Sequence, residues 1–278
     1  MRTTTHRALA LAATSALVLA GCSSDGDSDN DGSGDTLTIG IKFDQPGLGF
    51  KDGEEYTGFD VDVARYVADK LGYAEEDVEF VEAISANRET MLEGDQVDMI
   101  FATYSITEER DEVVDFAGPY FVAGQDLLVR ADETDITGPD TLEGKNLCSV
   151  SGSTSAQRVK DTYDQGTGIN LVEQPGYSEC LSLLTSGQVD AVTTDDIILA
   201  GLAAEEGSGA MKVVGNPFSE ERYGVGIPEG SDQCQAINDA LTDMFEDGSW
   251  QEALDAATTG TGFTPNAELN PPTLVECK

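Results

Sequence analysis

Short apolar runs alternate with amphipathic segments along most of this chain. In residues 59–71 apolar side chains recur at helical spacing, whereas residues 97–102 form a mostly apolar run typical of a buried strand. Strands are predicted at residues 37–41, 78–81, 97–102, 147–150, 169–173 and 189–193, and near Val213 and Val225. Helices are predicted at residues 59–71, 87–92, 154–163, 178–184, 196–204, 236–245 and 251–257. This alternation predicts an α/β fold with parallel sheets covered by helices on both faces.

A short internal repeat relates the two halves of this pattern. Residues 92–98 (LEGDQVD) resemble residues 184–190 (LTSGQVD), and in both copies a helix ends, a turn follows and a buried strand begins. Thr103 and Asp195 occupy matching places at the carboxyl ends of these strands, where open α/β sheets bind ligands. The repeat therefore predicts two similar lobes that face one cleft, although a chance match of two common turns would explain it as well.

The N-terminus has the features of an export signal. Arg2 and Arg7 precede an apolar stretch at residues 8–20, which is too short to span a bilayer comfortably. The stretch ends in Leu-Ala-Gly-Cys22, which resembles the lipidation motif of bacterial lipoproteins; an ordinary secretory signal with a chance cysteine is the alternative. We expect residues 1–21 to be the signal and residues 22–35, rich in Ser, Asp and Gly, to be a disordered tether.

Charge and histidine content exclude several classes of function. The formal charge of −38 falls to −40 once Arg2 and Arg7 leave with the signal, which argues against nucleic acid or an anionic membrane surface as a partner. The only histidine, His6, lies in the signal. The rest of the chain therefore has no Ser-His-Asp or Cys-His nucleophile system and no usual zinc site. We expect neither a metal nor a cofactor.

Four cysteines besides Cys22 predict two disulfides in an exported protein. Three pairings are possible. The preferred pairing joins Cys148 to Cys180 and Cys234 to Cys277, because each bond then closes a local loop within one predicted lobe. There is no Cys-x-x-Cys spacing, which argues against a redox or metal role.

Residues 102–110 (ATYSITEER) carry the most informative chemistry. Thr107 is predicted to cap a helix whose free N–H groups favour an anion. Thr103 and Ser105 add hydroxyl donors, and Arg110 adds a planar fork suited to a carboxylate. A capped helix with a surface arginine would explain the same residues.

The same segment resembles the α-carboxylate clamp of the polar amino acid binding proteins, which are type II periplasmic binding proteins that serve ATP-binding-cassette (ABC) importers. Thr103, Ser105 and Arg110 fall on the clamp positions. Residues 58–64 and 115–120 are similar to the family's first helix and to its approach to the crossing between lobes. The resemblance extends over roughly residues 37–250, far beyond a single motif.

The resemblance also assigns residues in the second lobe and around the ligand side chain. Ser153 and Thr154 match a turn that donates to the ligand carboxylate, and Asp195 matches the partner of the α-ammonium group; each could instead be a helix N-cap. Residues 39–49 look like the glutamate-binding branch. Lys42 and Arg88 fall where relatives with acidic ligands carry cations, although both could be surface residues. The second-lobe histidine of some acidic amino acid binders is missing.

The resemblance implies a two-lobed type II periplasmic-binding-protein fold. Lobe one would comprise residues 36–125 plus 221–278 and lobe two residues 126–220, with hinge crossings near Gly124 and Gly224. The implied function is capture of an acidic amino acid, L-glutamate, for an ABC importer permease, by a monomer that Cys22 anchors to the outer face of the cell membrane. Alternatives are a binder of aspartate, glutamine or another polar amino acid, a binding module of a sensor receptor, and a cyclohexadienyl-dehydratase-like enzyme.

Overall fold

A computed structural model describes residues 36–164, 166, 168–206 and 209–278. The predicted signal, the tether and Cys22 lie outside the described residues. Within the described part of the chain, no helix is long and apolar enough to cross a bilayer.

The elements follow one another in the order that the hydrophobic pattern predicts, with several additional strands. The strands are β1 (Leu37–Ile41), β2 (Asp44–Gln45), β3 (Gly49–Asp52), β4 (Glu55–Thr57), β5 (Val78–Glu82), β6 (Met99–Phe101), β7 (Val114–Ala123), β8 (Gln125–Arg130), β9 (Asn146–Val150), β10 (Asn170–Gln174), β11 (Ala191–Asp195), β12 (Met211–Val213) and β13 (Glu221–Pro228). The α-helices are α1 (Phe59–Lys70), α2 (Arg88–Glu93), α3 (Thr154–Arg158), α4 (Tyr177–Thr185), α5 (Asp196–Glu206), α6 (Cys234–Asp247) and α7 (Ser249–Thr258).

Two five-stranded sheets organise the chain, in the orders β5-β1-β6-β13-β7 and β10-β9-β11-β8-β12. We call the first sheet with helices α1, α2, α6 and α7 the first half, and the second sheet with helices α3, α4 and α5 the second half. In each sheet three neighbouring strands pair in parallel, β5, β1 and β6 in the first and β10, β9 and β11 in the second. The pairs that involve β13 in the first sheet and β8 in the second are antiparallel. The predicted α/β fold is confirmed, but its sheets are mixed, because the parallel pairing that was expected covers only part of each sheet.

The carboxyl ends of the parallel strands carry the residues that the repeat singled out. Thr103 follows β6, and Asp195 is the last residue of β11. The small sheet β2-β3-β4 follows β1 and contacts helices of both halves. Helix α1 of the first half contacts β3 and β4, and helices α4 and α5 of the second half contact β2. The two halves thus meet where strand ends of both sheets converge.

The chain crosses between the sheets twice. The first crossing is at Gly124, between β7 and β8, as predicted. The second lies at residues 214–220, between β12 and β13, which is ahead of the predicted position. Gly224 instead lies inside β13, where its N–H donates to the Tyr104 carbonyl at 2.9 Å. A Cβ at Gly224 would approach Phe116 to 2.9 Å, so close packing inside the sheet accounts for this glycine.

Each half contains one disulfide in the structure. The bond between Cys148 and Cys180 ties β9 to α4, and the bond between Cys234 and Cys277 ties α6 to the C-terminal segment. Beneath the first sheet, an aromatic cluster surrounds Phe59 at the start of α1, and the Trp250 indole donates to the Tyr120 carbonyl at 2.8 Å. This buried cluster holds α1 and α7 against the strands whose ends form the cleft.

Candidate ligand-binding cleft

Thr103 is fixed firmly at the end of β6. It has φ of 45°, a conformation that non-glycine residues rarely adopt and that often marks a functional site. Its N–H donates to the Asp60 carboxylate at 2.9 Å, and its hydroxyl contacts the Gln45 amide at 3.2 Å. Asp60 also accepts a hydrogen bond from Tyr120 at 2.9 Å. Burial raises the pKa of Asp60 to about 6, against the opposing effect of these hydrogen bonds.

Ser105 and Thr154 meet across the two halves, with 3.4 Å between their hydroxyl oxygens. Thr154 begins α3. Ser153 caps this helix, because its hydroxyl accepts from the Ala156 N–H at 3.0 Å and donates to the Val150 carbonyl at 2.7 Å. Ser153 is therefore the N-cap of α3, which was the alternative to a ligand-binding role. It also lines the cavity between the halves.

Arg110 links the two halves. Its guanidinium donates to the Ser105 carbonyl at 2.7 Å and to the Gly152 carbonyl at 3.0 Å, and Nε lies 3.0 Å from the Glu89 carboxylate. Thr107 accepts from the Arg110 N–H at 3.2 Å, but only a single 3₁₀ turn, Arg110–Glu112, follows. The prediction that Thr107 caps a helix was thus wrong, and Arg110 itself is the anion-binding candidate in this segment.

Arg88 and Lys42 are buried, and neither is a surface residue. Arg88 is 2 % exposed, lies over the Tyr104 ring at 4.2 Å and donates to the Ala102 carbonyl at 2.9 Å. Lys42 is 1 % exposed, and its Nζ lies 5.9 Å from the centre of the Tyr177 ring. Among the described residues, Lys42 Nζ and Arg88 Nε have no hydrogen-bond partner. Burial lowers the pKa of Lys42 to about 8 and that of Arg88 to about 10.

Asp195 supplies a buried carboxylate on the opposite side. It is 3 % exposed, and Oδ2 accepts from the Tyr223 hydroxyl at 2.6 Å. Within the described part of the chain Oδ1 has no partner. Burial, followed by the nearby Glu221 carboxylate, raises the pKa of Asp195 well above its usual value. The alternative role of Asp195 as a helix N-cap is not seen, because Asp196 makes the hydrogen bond to the N–H of Ile197.

A cavity of about 10 Å³ lies between the halves, which is room for about one water molecule. Its lining combines residues of both halves: Ser85, Arg88, Thr103, Ser153, Thr154, Ser155, Tyr177, Thr194, Asp195 and Ile198. Arg110 lines an adjoining outer cleft of about 620 Å³, which shares Ser85, Ser153 and Thr154 with the cavity. Ser105 and Lys42 are not among the lining residues of either space, but they contact Thr154 and Tyr177, which are.

Five of the lining residues were not predicted from the sequence: Ser85, Ser155, Tyr177, Thr194 and Ile198. Thr194 was detectable, because it precedes Asp195 in the strand whose carboxyl end was expected to bind. Tyr177 was also detectable in principle, since it begins the helix after β10, a strand parallel to β9. Ser85 lies in an irregular segment between β5 and α2 and carries no such signal.

Comparison with known proteins agrees with a ligand-binding cleft between the two halves. Residues 37–257 match the sequence model of the bacterial extracellular solute-binding proteins, family 3. The chain is 45 % identical to the glutamate-binding protein GluB of Corynebacterium efficiens over 263 residues, 87 % of this chain and 88 % of that protein. It is 36 % identical to the ABC transporter glutamine-binding protein GlnH of Bacillus subtilis over 221 residues, 78 % and 79 % of the two chains.

Among solved structures, an ancestral arginine-binding protein bound to arginine superposes with a TM-score of 0.75 at 34 % identity, over 81 % of this chain and 99 % of that one. The mixed α/β fold with two sheets is the fold of such type II periplasmic amino acid binding proteins.

Proposed function

Because the chain belongs to the bacterial extracellular solute-binding proteins of family 3, we propose that it captures L-glutamate outside the cytoplasm and delivers it to the permease of an ABC importer. The observation that carries the choice of ligand is a set of buried charged side chains, each of which has an atom without a hydrogen-bond partner among the described residues. Lys42 Nζ, Arg88 Nε and Asp195 Oδ1 all lack partners among the described residues. Buried charges are costly unless an opposite charge offsets them.

Glutamate offers the complementary charges. Its two carboxylates match the cations, and its ammonium group matches Asp195. In the proposed arrangement, Arg110, Thr103, Ser105, Ser153 and Thr154 bind the α-carboxylate, Asp195 binds the ammonium group, and Lys42 with Arg88 binds the side-chain carboxylate. Glutamine has a neutral amide at that position and would leave both Lys42 and Arg88 without an opposite charge from the ligand. The higher identity to a glutamate-binding protein than to a glutamine-binding protein supports the same choice.

Three further parts of the proposal rest on the sequence and on the relatives. Lipidation of Cys22 would anchor the protein to the outer face of the cell membrane, as the sequence around that residue suggests. The protein would act as a monomer. It would bind its ligand without turnover, since the relatives described above are named for binding. The lobes, residues 36–125 plus 221–278 and residues 126–220, would close around the ligand by hinge motion.

Thermal unfolding with a panel of L-amino acids tests the proposed ligand. Glutamate at about 100 times its dissociation constant should add about 2.7 kcal/mol to the free energy of unfolding. For a chain of this size, the midpoint should rise by about 5 °C or more. A rise with glutamine but not glutamate would overturn the choice of ligand, and no rise with any amino acid would overturn the function.

Replacing Lys42 with Met should stabilise the unliganded protein and weaken glutamate binding. Met fills a similar volume without a buried charge. The shift of the Lys42 pKa from 10.5 to about 8 corresponds to about 3 kcal/mol as an upper bound. Between these two pH values the unfolded chain binds more protons at this site than the folded chain, so the stability of the unliganded wild type should rise with pH. Lys42→Met should lack that component.

Chemical denaturation from pH 7 to 10.5, with calorimetry for glutamate affinity, measures both effects. Lys70→Met is the control, because Lys70 is an exposed residue of α1 paired with Asp243. A less stable Lys42→Met protein that binds glutamate as tightly as the wild type would contradict the assignment.

A further inference from the structure

We propose that Tyr177 contacts the ligand directly and that, together with Lys42, it recognises the polar end of the ligand side chain. This inference rests on the proposed function and adds a residue from the second half to the side-chain pocket.

The position of the Tyr177 hydroxyl carries the first step. Tyr177 is 2 % exposed, begins α4 and lines the cavity between the halves. Its hydroxyl accepts a hydrogen bond from Thr194 Oγ1 at 2.6 Å. Thr194 is thus the donor in this hydrogen bond, and the bond orients the phenol oxygen. The Ser153 hydroxyl is the second hydrogen-bonding neighbour of the Tyr177 hydroxyl, and a ligand carboxylate or amide oxygen would take its place as the acceptor of the Tyr177 hydrogen.

The neighbours of the phenol carry the second step. Lys42 Nζ of the first half faces the Tyr177 ring at 5.9 Å from its centre. Burial and the Asp195 carboxylate raise the pKa of Tyr177, so that the phenol remains a neutral donor near neutral pH. A cation over the ring and a neutral donor at its hydroxyl together suit a carboxylate, which accepts several hydrogen bonds at once.

Asp44 positions Tyr177 from across the cleft. The Asp44 carboxylate, in β2 of the small sheet that follows β1, accepts from the backbone N–H of Tyr177 at 2.6 Å and of Ser178 at 3.4 Å. These N–H groups are free at the start of a helix, where a negative charge is favourable. At Gly176 a Cβ would lie 2.5 Å from the same carboxylate, so a glycine permits the approach. Asp44 therefore fixes the start of α4, and with it Tyr177, beside the cavity between the halves.

A double-mutant cycle with glutamate tests the proposal by calorimetry on four proteins: wild type, Tyr177→Phe, Lys42→Met and the double variant. Phe keeps the ring and removes only the hydroxyl. Tyr177→Phe should weaken glutamate binding about tenfold in the wild-type background. Because both groups are assigned to one ligand carboxylate, the same change should have a clearly smaller effect, about threefold or less, in the Lys42→Met background.

The control is Tyr66→Phe, which removes a surface hydroxyl bonded to Asp247 outside the cavity and should leave affinity unchanged. Tyr177→Phe with wild-type affinity would overturn the inference alone. An equal loss in both backgrounds would also overturn it, since that result indicates a structural role for the hydroxyl. No glutamate binding by the wild type would overturn the proposed function and this inference with it.

Discussion

Arg110→Ala is expected to weaken glutamate binding by about 100-fold or more. Arg110 is 8 % exposed, and three of its donor groups already bind Ser105, Gly152 and Glu89. A guanidinium has five N–H donors, so two remain for a ligand carboxylate. Removing one partner of a buried, hydrogen-bonded charge pair typically costs 2–5 kcal/mol or more of binding free energy, about 30-fold upwards. Titration calorimetry with glutamate measures the loss.

The bond to Gly152 adds a second reason for the effect. Because this carbonyl belongs to the second half, Arg110 also holds the two halves together at the mouth of the cleft. Arg222→Ala is the control, since Arg222 is an exposed arginine paired with Glu220. Unchanged glutamate affinity in Arg110→Ala would exclude Arg110 from the binding site, and an equal loss in Arg222→Ala would indicate a long-range charge effect instead.

The elements that were predicted well from the sequence are those whose buried residues recur at the spacing of a strand or a helix. The bounds of β1 match the prediction, and α1 ends one residue earlier than predicted. β7 was missed because Gly118 and Pro119 usually mark a turn. In the structure both lie inside this buried strand, where the Gly118 N–H donates to the Asn238 side chain at 2.8 Å instead of to another strand. The short strands β2, β3 and β4 have too few residues to show a period.

The candidate site was predictable only in part, because a local sequence pattern indicates some of its residues and not others. The carboxyl ends of strands indicated Thr103 and Asp195, because strand ends follow from the pattern of elements alone. The contact of Arg110 with Gly152 joins residues 42 positions apart in different halves, and no local pattern specifies it. The distinction between buried and exposed cations was also out of reach, since Lys42 and Arg88 become buried only when segments distant in sequence pack together.

Asp195→Asn should stabilise the unliganded protein and weaken glutamate binding by about 100-fold. In the unliganded protein the carboxylate is buried near Glu221, and within the described residues its Oδ1 has no partner, so the neutral amide removes a desolvated charge. Once glutamate is bound, the same charge would pair with the ammonium group, and the amide cannot replace that pairing. Denaturation and calorimetry should therefore show opposite signs for stability and affinity.

The pH dependence separates this explanation from a simple loss of packing. The folded pKa of Asp195 lies well above its unfolded value, so the folded chain binds more protons there, and unliganded stability falls as pH rises between the two values. Binding of an ammonium group favours the ionised carboxylate.

Glutamate binding should therefore release protons in buffers near the raised pKa of Asp195. This release is measured as a binding enthalpy that depends on the ionisation enthalpy of the buffer. Asp195→Asn should lose that release, whereas Asp239→Asn, at an exposed position of α6, should keep it. Equal proton release in both variants would mean that the ammonium group of glutamate is bound elsewhere.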